Sequence, residues 1–377
     1  MDISTVCIHG GYQPDWAGSV TPPVYLSSTF AHPGIGSSTG YDYSRLQNPT
    51  REYLEKTVCA LEEGHDAMAF SSGMAAIACV LELFRPGDHI ITSADLYGGS
   101  IRLFHTISEK NGLTFTALDT GDLPAVQAAI RPETKAIFVE TPSNPTMQIT
   151  DLRALSELAR QRGLVTIVDN TFLTPYFQKP ILLGADLVVH SGTKYLSGHN
   201  DVLAGFVISA RADDSERLRF LFKTIGSCLS AFDSWMVLRG IKTLPLRMER
   251  HGTSAAALAD WLTGHPKVKR VYYPGVAGSA GYQTSLAQTS GFGGMISFET
   301  DTEETAHAIL ERVKLILFAE SLGGAETLIT YPILQTHADV PREECLAKGI
   351  NERLLRLSVG LEGVDDIISD LKQALDD

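Results

Sequence analysis

The chain has 377 residues, 44% hydrophobic and 20% charged, with a formal net charge of −13. This composition excludes a disordered, collagenous or coiled-coil chain, and the length suits about two domains of roughly 100–200 residues each. The acidic balance argues against nonspecific nucleic-acid binding and against docking on anionic lipid, which need clustered Lys and Arg, but it leaves room for a small anionic ligand held by local dipoles and a few cations.

Residues 1–50 are rich in Gly, Ser, Thr, Pro and Tyr and show no sustained period. They read as an irregular arm that needs a surface to lie on, such as another subunit. From residue 52, apolar runs alternate with helix-like segments. Strands are expected at 67–70, 89–92, 114–118, 136–140, 165–169, 187–190 and 205–208. Several of these are apolar throughout, as in a mainly parallel sheet buried on both faces. A helix over 151–162 has its apolar stripe at 152, 155, 158 and 159, with Thr150 or Asp151 to cap it and Gly163 to close it. The alternation implies an open α/β sheet, in which ligands bind beyond the C-terminal strand ends. After residue 230 the pattern becomes a helical stretch over 231–264, strands at 268–272 and 294–299, a helix at 302–313, strands at 315–318 and 354–359, and a final helix from 364. The organisation expected is an arm (1–50), a large domain (51–235) and a smaller α+β domain (236–377).

The strand ends carry the chemistry. Ser71-Ser72-Gly73-Met74 opens a helix whose N–H groups and dipole suit an anion. Asp95-Leu96-Tyr97-Gly98-Gly99 offers an aromatic ring on a glycine loop, and Thr141-Pro142-Ser143-Asn144-Pro145 a stiff loop presenting an amide. Asp169 ends an apolar strand, where a carboxylate needs a partner. Lys194 stands in Ser191-Gly192-Thr193-Lys194, between hydroxyls. Partial burial frees a lysine amine for Schiff-base chemistry. Each feature alone is also an ordinary turn or a solvated side chain. Together they meet the needs of pyridoxal phosphate: a lysine for its aldehyde, a carboxylate for its ring nitrogen, an aromatic for its face and donors for its phosphate.

With these motifs, and with Tyr41-Asp42-Tyr43-Ser44-Arg45, Ala319-Glu320-Ser321-Leu322-Gly323-Gly324 and Arg356-Leu357-Ser358-Val359-Gly360, essentially the whole chain resembles the transsulfuration (Cys/Met metabolism) family of pyridoxal-phosphate enzymes. The resemblance implies fold type I, a mainly parallel seven-stranded sheet with a smaller C-terminal α+β domain. It implies that Lys194 carries the cofactor and shuttles protons, that Asp169 pairs with the ring nitrogen, and that Tyr97 stacks on the ring and takes part in acid–base steps. Gly73, Met74, Ser191 and Thr193 would bind phosphate, and Asn144 the ring hydroxyl or the substrate carboxylate. Tyr43 and Arg45 would reach the phosphate of a neighbouring subunit in a homotetramer built as a dimer of dimers. Arg356 would hold the substrate α-carboxylate, supported by Ser321 and Thr336. Arg102 would meet a distal carboxylate, and Glu320 the distal amino group of cystathionine or cysteine.

Within the family, Gly99 replaces the cysteine of methionine γ-lyases, and Leu46 replaces a second arginine found in some γ-synthases that use succinyl esters. The stretches Phe232-Asp233-Ser234-Trp235 and Gln335-Thr336-His337 look most like γ-synthase/O-acetylhomoserine thiolyase enzymes. The expected reaction is γ-replacement on an O-acyl-homoserine by cysteine to give cystathionine, in methionine biosynthesis. γ-Elimination of cystathionine is the alternative, ahead of methionine γ-lyase, cystathionine β-lyase or a noncatalytic binder of the cofactor. The five cysteines and eleven histidines show no metal-ligand or disulfide spacing, and no signal peptide or membrane span is legible. The expectation is a cytoplasmic protein.

Overall fold

The computed structural model describes residues 1–376 and contains two sheets. The first is built from β1 (Asp66–Phe70), β2 (His89–Ser93), β3 (Thr114–Leu118), β4 (Thr134–Glu140), β5 (Val165–Asp169), β6 (Leu187–Ser191) and β7 (Gly205–Ser209). The seven strands lie in the order β1-β7-β6-β5-β4-β2-β3. Strands β3, β2, β4, β5 and β6 are mutually parallel, and β7 runs antiparallel to both β1 and β6. Alternate residues of one strand enter different cores: Ile137 and Val139 face one, Ala136 and Phe138 the other. This two-sided burial is why the strands read as unbroken apolar runs.

Helices cover both faces. Asp151 caps the Leu152–Gln161 helix, its Oδ1 accepting from Ala154 N at 3.0 Å, and Gly163 ends that segment with φ +67°. The stretch expected as one helix over 231–264 is two, Ala231–Ile241 and Leu244–Thr263. Pro245 stands in the first turn of the second, where its missing N–H is harmless; further along a continuous helix it would break a hydrogen bond. The proposed division after residue 235 therefore falls inside a helix.

The second sheet contains β8 (Val268–Tyr272), β9 (Met295–Thr300), β10 (Leu317–Phe318), β11 (Leu328–Thr330) and β12 (Leu354–Ser358), in the order β10-β11-β12-β9-β8. Helix Leu244–Thr263 joins the sheets: Leu244 and Met248 enter the core of the first, and Ala255, Leu258 and Leu262 that of the second. The arm is not wholly irregular. It begins with the Ile3–His9 helix, capped by Asp2 and anchored by buried Cys7, and it ends at Asn48, which caps the Pro49–Glu62 helix. Helices Ala212–Ile225 and Arg342–Ala347 and strand β11 are additions to the sequence-based expectation. No described helix is long and apolar enough to cross a membrane.

Candidate active site

The C-terminal ends of β4, β5 and β6 and the start of helix Gly73–Leu81 open onto a cleft of about 370 Å³, closed from the other side by the segment after β10 and by β12. Ser72 makes the helix start: its Oγ accepts from Ala75 N at 3.1 Å, leaving the first N–H groups turned to the cleft. A Cβ on Gly73 would stand 3.0 Å from the Ser191 Cβ, so glycine lets the helix start approach the end of β6. Ser191 N donates to Thr171 Oγ1 at 2.9 Å, tying the ends of β5 and β6 together. The Thr193 hydroxyl is engaged with Ala204, accepting from its N at 3.0 Å.

Lys194 follows β6, and its Nζ donates to Ser321 Oγ at 2.9 Å. Burial, and then the nearby Arg356 guanidinium, lower its ammonium pKa to about 8. Among the described residues no carboxylate forms an ion pair with it. Asp169 ends β5, and its Oδ1 accepts from Thr171 N at 3.0 Å. Burial raises its carboxyl, while Thr171 and the His190 ring draw it back.

Arg356, on β12, is only 2% exposed. Its Nη1 donates to Asn144 Oδ1 at 2.9 Å, and its Nη2 to Ser321 O and Thr330 Oγ1, each at 3.2 Å. Its Nε has no partner, and burial pushes its pKa down to about 10. A buried guanidinium lacking both a carboxylate and one hydrogen bond is a fit for an incoming carboxylate. Ser321 has φ +113°, a left-handed conformation rare for a side-chain-bearing residue, and it serves Lys194 through its hydroxyl and Arg356 through its carbonyl.

Tyr97 is held by its backbone, its N donating to Glu140 Oε2 at 2.9 Å. A Cβ on Gly99 would lie 2.4 Å from Tyr97 Cε1, and one on Gly98 would lie 1.9 Å from Thr336 O. The two glycines thus fix the ring's place and bring Thr336 to the cleft.

The structure gathers Gly73, Met74, Tyr97, Asn144, Asp169, Ser191, Thr193 and Lys194 with Glu320, Ser321, Thr336 and Arg356 around one space. Arg102 pairs with Asp339 with its side chain 55% exposed, and it is not among the residues lining the cleft of its own chain. Tyr43 and Arg45 also lie away from the cleft of their own chain: Arg45 Nη1 donates to Lys223 O at 2.5 Å, and its guanidinium lies 5.7 Å from the centre of the Tyr43 ring. The sequence reading gave no role to Glu140 or Thr171. Glu140 is the ladder partner of Asp169 and lines the cleft. Burial, and then the Asp169 charge, raise its carboxyl well above the usual range. A carboxylate closing the apolar run of residues 136–139 was the available signal.

The Cys/Met metabolism PLP-dependent enzyme family matches residues 4–376. A cystathionine gamma-lyase of Bacillus subtilis is 47% identical over 377 residues, 100% of both chains. A cystathionine gamma-synthase/O-acetylhomoserine (thiol)-lyase of the same organism is 47% identical over 366 residues, covering 97% of this chain and 94% of its own. The crystal structure of cystathionine gamma-lyase from Lactobacillus plantarum, complexed with L-serine, superposes with a TM-score of 0.98 at 45% identity, covering 100% of this chain and 99% of that one. A lysine freed of ion pairs, a carboxylate closing the neighbouring strand and a match along nearly the whole chain agree: the protein belongs to the Cys/Met metabolism family of PLP-dependent enzymes, with pyridoxal phosphate as its cofactor.

Proposed function

We propose that the chain catalyses γ-replacement on an O-acyl-homoserine, joining it to cysteine to form cystathionine. The observation that carries this reading is Glu320 lining the same cleft as Arg356, next to the Ser321 that holds Lys194. Arg356 binds the α-carboxylate of an amino acid, and Glu320 binds an ammonium at the far end of a second one.

The residues present fit the cofactor. Lys194 Nζ is held by the neutral Ser321 hydroxyl, Gly73 and Ser191 form a close cradle of small residues at a helix start, and Asp169 stands at the strand end between them and Glu140. When bound, pyridoxal phosphate supplies an aldehyde that captures an amine and a ring that stores an electron pair. Asp169 would hold the ring nitrogen, Tyr97 would cover the ring, and the Gly73 and Met74 N–H groups with Ser191 and Thr193 would hold the phosphate. Lys194 would hold the cofactor through Nζ, and the same atom would serve as the base that takes and returns protons along the bound amino acid. A pKa near 8 suits both tasks. Ser321 Oγ keeps Nζ in place between them.

With Arg102 outside, Arg356 and Lys194 are the arginine and lysine of the described cleft lining. That, with Leu46, supports an acetyl ester over a succinyl one. A second reading, γ-elimination of cystathionine to cysteine, 2-oxobutyrate and ammonia, is favoured by the full-length similarity to a cystathionine gamma-lyase. The two reactions share every residue until the γ group leaves, and differ in whether a thiol then adds. Purified enzyme given O-acetylhomoserine with cysteine, or cystathionine alone, separates them. Cystathionine accumulating in the first tube faster than 2-oxobutyrate in the second is expected. The reverse establishes the second reading, and inactivity in both removes the two together.

We also propose a homotetramer, a dimer of dimers, in which the arm completes a neighbour's site. The exposed arm residues Trp16, Leu26 and Ile35, at 96%, 78% and 110% exposure, and the position of Tyr43 and Arg45 outside their own cleft support it. The free cysteines support a reducing, cytoplasmic setting.

A further inference from the structure

Asp95 opens the motif that presents Tyr97, yet the reaction above gives it no role. It is 1% exposed. Its Oδ2 accepts from Ser143 Oγ and Thr146 Oγ1, each at 2.5 Å, and from Thr146 N at 3.0 Å. Its Oδ1 is buried without a hydrogen-bond partner among the described residues. A buried carboxyl group whose one oxygen gathers three donors while the other gathers none calls for a reason.

The donors supply one. Ser143 and Thr146 stand on either side of Asn144-Pro145, in the loop after β4. That loop closes on itself without Asp95: Ser143 N donates to Gln148 O at 3.0 Å, and Met147 N to Ser143 O at 3.1 Å. Asp95 therefore locates the loop and leaves its shape to the loop's own bonds. A second hold comes from the other sheet, where Ser297 Oγ donates to Pro145 O at 2.7 Å. Ser297, on β9, is the ladder partner of Arg356. Between the two holds lies Asn144, whose Oδ1 accepts from Arg356 Nη1. The acceptors that aim the guanidinium, Asn144 Oδ1, Ser321 O and Thr330 Oγ1, are all neutral. Their hold depends on direction, so a displaced Asn144 displaces the fork.

We propose that Asp95 is a positioning residue for the α-carboxylate site: by gripping both flanks of Asn144 it sets that amide, and through it the Arg356 guanidinium. This rests on reading Arg356 as the partner of the α-carboxylate.

The test titrates holoenzyme with glycine and with methylamine, which differ by a carboxylate, each followed by the absorbance of the bound cofactor. The ratio of the two dissociation constants measures carboxylate recognition. Asp95→Ala releases Ser143 and Thr146 and is expected to reduce the preference for glycine on the order of tenfold, with methylamine affinity changed less than about twofold. Asp95→Asn keeps an acceptor oxygen for the same donors and should hold the preference within about threefold of the wild type. A merely structural role would weaken both ligands alike and leave the ratio of Asp95→Ala unchanged, which overturns the inference; so does an equal loss of preference in Asp95→Ala and Asp95→Asn. Arg356→Met is the reference and collapses the ratio. If it does not, the carboxylate reading of Arg356 fails and the inference with it; if it does while Asp95→Ala matches the wild type, only the role of Asp95 is excluded. Should Asp95→Ala fail to fold, Ser143→Ala combined with Thr146→Val removes the two hydroxyl donors from the other side and reads the same ratio.

Discussion

Lys194 illustrates how burial sets chemistry at one residue. Its pKa of about 8 lies below the ordinary 10.5, so the charged form is disfavoured in the folded apoenzyme. Between about pH 8 and 10.5 the unfolded chain binds more protons at this position than the folded one, and stability rises with pH. Relative to Lys194→Met, which removes the group, the wild-type apoenzyme should gain melting temperature across that window and lose the gain below it; parallel curves from pH 7 to 10.5 would contradict the assigned burial effect. Arg356 is the opposite case, a cation kept buried for a ligand. Arg356→Lys loses the fork that meets Asn144, Ser321 and Thr330 and is expected to raise KM for the amino acid on the order of tenfold or more, with the cofactor still bound.

Among the elements, two loops are shaped by what they touch. Any side chain at position 99 presses on the Tyr97 ring, so Gly99→Ala is expected to swing the ring away and lower kcat by up to about 10²-fold while the melting temperature hardly moves. Equal activity would show that the ring's place is not set by Gly99. The Lys194 loop is held from outside by helix Leu244–Thr263. Buried Arg247 donates to Tyr195 O at 2.6 Å and to Gly240 O at 2.8 Å, and Gly198, at φ +71°, leaves room for its guanidinium. Arg247→Met strands those carbonyls and should cost about 2–4 kcal/mol in urea unfolding. These contacts were illegible in sequence because Arg247 lies 52 residues from Tyr195. Strand β11 suffers likewise: at three residues it is too short for a period and exists through its neighbours in the sheet.

At the scale of the whole molecule, the arm poses the question. If Arg45 serves a neighbour's cleft, Arg45→Ala and Lys194→Ala are each inactive alone but complementary when mixed. After unfolding and joint refolding, hybrid assemblies should recover part of the wild-type activity, because some sites then have both residues intact. No recovery, with tetramers present by sedimentation, would confine each site to one chain.

The sequence by itself determined the seven strands of the large sheet, the identity of the cofactor and most of the cleft. Two-sided burial demands unbroken apolar runs, and the chemistry demands particular residue types at strand ends, so both are written locally. Glu140 stood in plain sight, but its importance depends on lying beside Asp169 in the ladder, which only the register of β4 against β5 decides. Arg102 pairs with Asp339, 237 residues away, a partner that no local pattern shows. The tertiary structure also decided that Arg356 meets Asn144 across 212 residues and that Lys194 meets Ser321 across 127. Local pattern fixes which groups a strand or turn presents; only packing of distant segments decides which of them face one another in a buried, low-dielectric space.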